Sequence, residues 1–304
     1  MSLLGRLSII VNCIRRMNSD LQQLTLGQKS DYELLQLSHR LEKGLLIANP
    51  RPLWGWEKAN RIFELINEKN DSSFSSKTAD AVLSAFLESK QNSVFEEDRK
   101  KASQFLDATQ YCPVNYIKQG GVHRIVKDQF TVQEQELIVR LFNTRHSCRE
   151  FSEAKIPNDI IINAVELANR CPSACNRQPY RVYVLEPSVL EDKLSRKLQY
   201  KGDKTLIISG DIRAFSTSEM LDWIVSPSIF AAYLTLSLHS LGVGSCVVRK
   251  DLVKSSEYNK VIRTLTGMDE SEQIILEMFI GYYKDEFVVP VSNRASAKEI
   301  VKFI

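Results

Sequence analysis

The chain has 304 residues, 43% apolar and 25% charged, an ordinary globular mixture long enough for one large domain or two modest ones. Its 40 Lys and Arg against 37 Asp and Glu leave a net charge of +3, which argues against a protein whose work is coating nucleic acid with basic charge. The 12 Gly, 9 Pro and 6 Cys exclude collagen-like, low-complexity and disulfide-scaffold classes.

No uninterrupted apolar run approaches the roughly 20 residues of a membrane-spanning helix, so no transmembrane segment is expected. Met1 to Met17 is apolar-biased, but Arg6, Asn12, Arg15 and Arg16 interrupt it and no small-residue cleavage site follows. That pattern predicts an amphipathic first helix packed on the body rather than a signal peptide. The cysteines are Cys13, Cys112, Cys148, Cys171, Cys175 and Cys246. None forms a C-x-x-C pair, and no His lies beside Cys171 and Cys175 to complete a zinc set. Reduced thiols, a cytoplasmic location and no metal are the expectations.

Up to about Asp128 the chain reads as all helical. Gln22 to Leu46 carries helical spacing through Leu34, Leu37, Leu41 and Leu45, with Gly44 and Asn49-Pro50 as stop signals. Helices are predicted over Trp56 to Asn67, Thr78 to Leu87 and Phe95 to Leu106, then a connector over Tyr111 to His123. Beyond Thr131, helices are predicted over Val132 to Phe142, Pro157 to Arg170 and Val189 to Leu198. Strands are predicted over Arg181 to Leu185, Thr205 to Ser209, Val243 to Val248 and Ile274 to Tyr283. Ser228 to Leu241 is apolar nearly all round, the signature of a buried helix. Alternating strands and helices point to a sheet covered by helices. The chain divides into residues 1–128, helical, and 129–304.

Three clusters could carry chemistry. Arg145-His146-Ser147-Cys148-Arg149 puts two guanidinium forks and a hydroxyl within five residues, a set that can grip a phosphate or form a solvated basic patch. Cys171-Pro172-Ser173-Ala174-Cys175-Asn176-Arg177-Gln178-Pro179 joins a helix to a strand. Its prolines stiffen the loop, and its amides both donate and accept, which suits the edge of a flat heterocycle or simply a polar loop with no ligand. The glycines of Leu241-Gly242-Val243-Gly244-Ser245-Cys246 permit close backbone approach, or simply end a helix.

In this order, and with Gly281-Tyr282-Tyr283 and Asn293-Arg294 near the end, these clusters resemble the FMN-dependent nitroreductase-like family over about residues 132–304. The resemblance implies an α+β fold, a mixed sheet flanked by helices, dimerising with FMN at the interface; the helical N-terminal region is an extension to it. Arg145, Ser147 and Arg149 would hold the FMN phosphate and ribityl chain, with Arg294 closing on the phosphate. His146 would contribute its backbone beside the flavin. Asn176 would bond the isoalloxazine edge, with Pro172, Ser173 and Gln178 close by and Gly244 beside the ring. NADH or NADPH would supply electrons for a small organic acceptor, and no side-chain acid or nucleophile is required. The alternatives within the resemblance are a flavin-binding interaction protein, or desaturation, dehalogenation or flavin consumption in a pathway such as surface polysaccharide synthesis.

Three departures bear on the acceptor pocket. Arg249 and Lys250 follow where a small residue is frequent; they either stand by the ring, which makes Arg249 a candidate pocket residue, or point outward. Tyr233 stands where many members carry an amide and is a second; Pro227-Ser228 replaces a common acidic-plus-small pair. The third departure is the N-terminal region, in which His39, Glu42 and Lys43 share a helix face. Salt bridges are the simplest role for that face; covering the flavin cleft is the functional one.

Overall fold

The computed structural model describes residues 26–115, 119–195, 197–198, 200–216, 219, 221–248 and 256–304. The predicted first helix over Met1 to Met17, Arg249 and Lys250 lie outside the described residues.

Among the described residues, four helices form the N-terminal region: α1 (Leu26–Leu45), α2 (Trp56–Lys69), α3 (Phe74–Gln91) and α4 (Glu96–Thr109). α3 is longer than the predicted Thr78 to Leu87 because Ser73 caps it early, its hydroxyl accepting from the Ser76 amide. It is the central helix, with Val82, Leu83, Phe86 and Leu87 fully buried. Leu34 and Leu41 of α1 and Ile62 and Leu65 of α2 pack around it. Trp54 and Trp56 meet Phe86 edge-on at 5.5 and 5.3 Å.

A buried ion pair ties this bundle together. Asp98 accepts from Lys90 Nζ at 3.0 Å, Ser93 Oγ at 3.1 Å and the Leu53 amide at 3.1 Å. Lys90 lies 4.6 Å from the Trp54 ring centroid. Burial pushes the Asp98 carboxyl up, but the Lys90 ammonium and these hydrogen bonds outweigh it and hold the group below the usual carboxylate range.

Beyond the connector come α5 (Val132–Thr144), α6 (Asn158–Ala168), β1 (Tyr180–Leu185), α7 (Pro187–Leu194), β2 (Lys204–Asp211), α8 (Asp222–Ser240), β3 (Val243–Val248), α9 (Glu257–Thr266), β4 (Glu272–Tyr282) and α10 (Ala297–Ile300). The four strands pair antiparallel in the order β1-β2-β4-β3, and a parallel bridge from Ser147 to Ser245 extends the β3 edge. The parallel part of the expected mixed sheet is thus that bridge. β2 alternates, with Leu206 and Ile208 facing α6 and α8 and Ile207 facing α7 and α9. With both faces covered, the fold is α+β, as expected.

α9 is not among the predicted elements, although Tyr258 and Ile262 stand one turn apart and are buried. α8 starts at Asp222 rather than Ser228 and runs through Pro227. Its apolar girdle is only half used within the chain: Phe230, Leu234 and Leu238 are buried, while Val225 and Tyr233 are 46% and 42% exposed.

α1 also joins the second core. Tyr32 and Leu35 pack with the α6, α8 and sheet residues, and Tyr32 Oη donates to Asp211 at 3.0 Å. Two such buried side chains supply about 3–6 kcal/mol of seating for the helix. The same helix therefore faces both the bundle and the loops at one corner of the sheet.

Candidate functional site

The first cluster runs along the β3 edge. Thr144 ends α5, Arg145 turns extended, and Ser147 enters the bridge with Ser245. The Cys148 amide donates to the Ser245 carbonyl at 2.9 Å. This close pairing needs Gly244: a Cβ there would sit 3.0 Å from the Cys148 Cβ and 2.9 Å from the Tyr283 ring. Arg145 and Ser147 are half-buried, while His146 and Arg149 are exposed. Arg149 donates to the Ser147 carbonyl at 3.2 Å and lies 5.7 Å from the Tyr200 ring. Two guanidinium groups and a hydroxyl are thereby brought to one sheet edge, a donor set that suits a phosphate.

His239 supports this edge from the end of α8, and it was not singled out by sequence. Thr144 Oγ1 spends its proton on the Arg140 carbonyl at 2.8 Å, so it accepts from His239 Nε2 at 2.9 Å. His239 Nδ1 therefore accepts from Tyr283 Oη, also at 2.9 Å. Burial, then the charges of Arg145 and His146, push the imidazole pKa down, which keeps this neutral arrangement. Burial raises the Tyr283 hydroxyl to about 12. Burial likewise raises the Cys148 and Cys246 thiols, so both are poor nucleophiles.

The second cluster lies between α6 and β1. Cys175, Asn176 and Gln178 all adopt left-handed φ angles, +50°, +52° and +49°. Each such residue costs of order 1–3 kcal/mol, and three in four positions mark a loop held in shape for a purpose. Ser173 Oγ accepts from the Gln178 amide at 3.1 Å, and Asn169 Nδ2 donates to Gln178 Oε1 at 3.3 Å. The anchor is Arg177, quoted in the motif but given no role above. It is 2% exposed, donates to the Ala214 carbonyl at 2.6 Å and forks onto Glu219 at 2.8 and 3.1 Å. Locking Arg177 inward turns its neighbours outward: Pro172 and Asn176 are exposed.

Within one chain the two clusters do not meet. Tyr180, at the end of the second, aligns through Gly210 with Gln273, whereas Ser147 aligns through Ser245 with Ile280. They sit about 23 Å apart along the strands and about 19 Å across them, so roughly 30 Å corner to corner. Arg294 lies in the exposed C-terminal segment, where it donates to the Ser292 carbonyl. Tyr233 faces outward from α8. On α1, His39 Nδ1 sits 3.7 Å from Glu42, but burial and then the Lys43 charge push the imidazole pKa down, which opposes the ion pair expected from spacing. Among the described residues no His, Cys, Asp and Glu cluster could hold a metal, no disulfide forms, and no helix is long and apolar enough to cross a membrane.

The sheet, its covering helices and the order of the two clusters resemble the nitroreductase pattern. The family model described as Nitroreductase family matches residues 143–205, spanning both clusters, which bears out the resemblance read from sequence. An iodotyrosine dehalogenase 1 homolog of Caenorhabditis elegans is 22% identical over 219 residues, 59% of this chain and 64% of that protein. The match thus spans less than two thirds of that relative's length. A putative NADH dehydrogenase/NAD(P)H nitroreductase of Archaeoglobus fulgidus is 25% identical over 156 residues, 50% of this chain and 88% of that protein. An FMN-dependent nitroreductase structure from Clostridium difficile R20291 is 20% identical over 54% of this chain and 98% of its own, with a TM-score of 0.45.

Proposed function

We propose that the chain is an FMN-dependent oxidoreductase that takes electrons from NADH or NADPH and passes them to a small organic acceptor, working as a homodimer with FMN at the interface. The observation that carries this reading is the separation of the two clusters. One suits a phosphate and the other a heterocycle edge, yet roughly 30 Å lies between them in one chain. A two-fold-related copy can set the second cluster of one chain beside the first cluster of the other.

The exposed apolar surface supports the same assembly. α5 has no buried residue, and its Leu137, Val139 and Phe142 are 63%, 58% and 61% exposed. A helix of this length is marginal in water without a covered face. The outer face of α8 and the C-terminal segment, with Val291 at 88% and Phe303 at 96% exposure, offer apolar surface for the same purpose.

The residues present fit FMN. Gly244 leaves no room for a Cβ beside Cys148, so the backbone beneath the Arg145–Arg149 edge is held flat against β3. Arg145, Ser147 and Arg149 bind and neutralise the phosphate, with Arg294 as a further cation. The backbone of His146 and Gly244 would lie beside the ring. Pro172, Ser173, Asn176 and Gln178, fixed by Arg177, present donors and acceptors to the heterocycle. Bound FMN supplies two-electron transfer at its ring, which needs no acid or nucleophile from the protein. The protein would position and shield the ring, with Tyr233 exposed on the outer face of α8. The helical region, residues 1–128, covers one corner of the sheet through α1. Five free cysteines among the described residues support a cytoplasmic location.

Reductive dehalogenation is a second reading, favoured by the match to the dehalogenase homolog. It changes the acceptor and keeps the site. An absorbance spectrum of the purified protein, followed anaerobically by NADH and then NADPH, tests both. The expected result is a flavin spectrum that bleaches within seconds. No flavin after added FMN would overturn the proposal, as would bound flavin that neither nucleotide reduces.

A further inference from the structure

A cavity of about 500 Å³ lies between α1 and the loop after β2. That size falls within the range of small-molecule sites. Tyr32, Glu33, Gln36 and Arg40 form one wall, and Arg177, Arg213, Phe215 and Glu219 are among the residues of the other. No role in holding the flavin falls to this space, and it exists only because α1 is present.

Most of its charges are already spent. Glu33 is held by Arg61 at 3.0 and 3.4 Å. Glu219 is held by Arg177, and Arg213 by Asp211 at 2.5 Å. Arg40 has no ion pair among the described residues and is exposed. Gln36, one turn earlier on the same face of α1, has no hydrogen bond among the described residues, so its amide stands beside that cation. The wall is therefore neutral apart from one guanidinium with an amide donor next to it. Such a set accepts one carboxylate. The ring of Tyr32 and the side chain of Phe215 supply apolar wall beneath.

The cavity also touches the proposed flavin corner. Arg177 lines it, and the residues on either side of Arg177 are Asn176 and Gln178. A molecule seated on Arg40 would extend toward the loop that meets the ring in the assembled dimer. We propose that the acceptor is a small organic monoanion, and that its carboxylate is received by Arg40 and Gln36 in this cavity. The acceptor role rests on the oxidoreductase reading; the anion site itself does not.

The test uses two probes that share a ring and a nitro group, 4-nitrobenzoate and the neutral 4-nitrobenzyl alcohol. Binding to the oxidised holoprotein is measured by calorimetry, and KM and kcat for each are measured with the reduced nucleotide. The expected result is a preference for the benzoate of roughly tenfold, in both Kd and KM. Arg40→Gln should bring that ratio to about one, and Arg40→Lys should keep part of it. Equal affinity for the two probes would overturn the proposal, as would a preference that survives Arg40→Gln. A calorimetric preference without turnover would uphold the anion site and overturn its role as the acceptor site. Turnover without preference would overturn the site and leave the oxidoreductase reading standing.

Discussion

Replacing Arg145 and Arg149 together by alanine is expected to strip the protein of FMN during dialysis. Each charge-assisted hydrogen bond to a phosphate contributes about 1.5–3 kcal/mol, so losing two weakens binding by roughly 10²- to 10⁴-fold. The fold should survive, because Arg145 and Arg149 are not part of the buried core. Flavin absorbance after dialysis, alongside a thermal melt, checks both halves. Stoichiometric yellow colour retained by the double variant would show that the phosphate lies elsewhere.

Asp98→Ala is expected to destabilise the helical region by about 3–5 kcal/mol, the cost of leaving a buried charge without its partner. Lys90 and Asp98 are 2% and 1% exposed, so little solvent can compensate. The same carboxylate also receives Ser93 and the Leu53 amide, so its loss frees the turn that leads into α2. A denaturant midpoint measures the effect, and a second change, Lys90→Met, should recover much of it by removing the stranded ammonium. The pH dependence has a definite sign. Because the folded pKa of Asp98 is depressed, its contribution is present above the unfolded value and is lost as pH falls through the folded one. A loss below about 1 kcal/mol in Asp98→Ala would show that the pair is not what holds the bundle. Since α1 packs in this bundle and in the sheet core, unfolding the bundle would also dismantle the cavity wall that carries Gln36 and Arg40.

Local chemistry was legible in the sequence where it is contiguous. The stretch from Arg145 to Arg149 and the stiffened loop from Pro172 to Pro179 each declare their donors within ten residues, and the structure keeps both as coherent clusters. The strands were placed within a residue or two, most clearly β2 and β4, whose apolar runs are buried on both faces. What sequence could not supply is distance between elements. Strand order is set by pairing across the sheet, and only that order separates Ser147 from Tyr180 by the width and most of the length of β4. Arg177 reads as one more polar residue of its loop, because nothing local reveals that Ala214 and Glu219 will fold over it. Tyr32 and Leu35 read as part of one apolar face of α1, whereas they serve a different core from Leu34 and Leu41. Ser228 to Leu241 reads as buried all round, yet Tyr233 is exposed in the single chain. Periodicity reports that a face is apolar and is silent on whether the same chain or a second copy covers it.

Complementation between two defective chains tests the shared site most directly. One variant carries Arg145→Ala and Arg149→Ala; the other carries Asn176→Ala and Gln178→Ala. Each alone should lose nicotinamide-driven turnover. Co-expressed at equal levels, half of the dimers are mixed, and each mixed dimer rebuilds one intact site, so turnover should return to about a quarter of the wild-type value per chain. Mixed dimers that form yet stay inactive would show that one chain builds its site alone, and the division of the flavin site between two copies would be wrong.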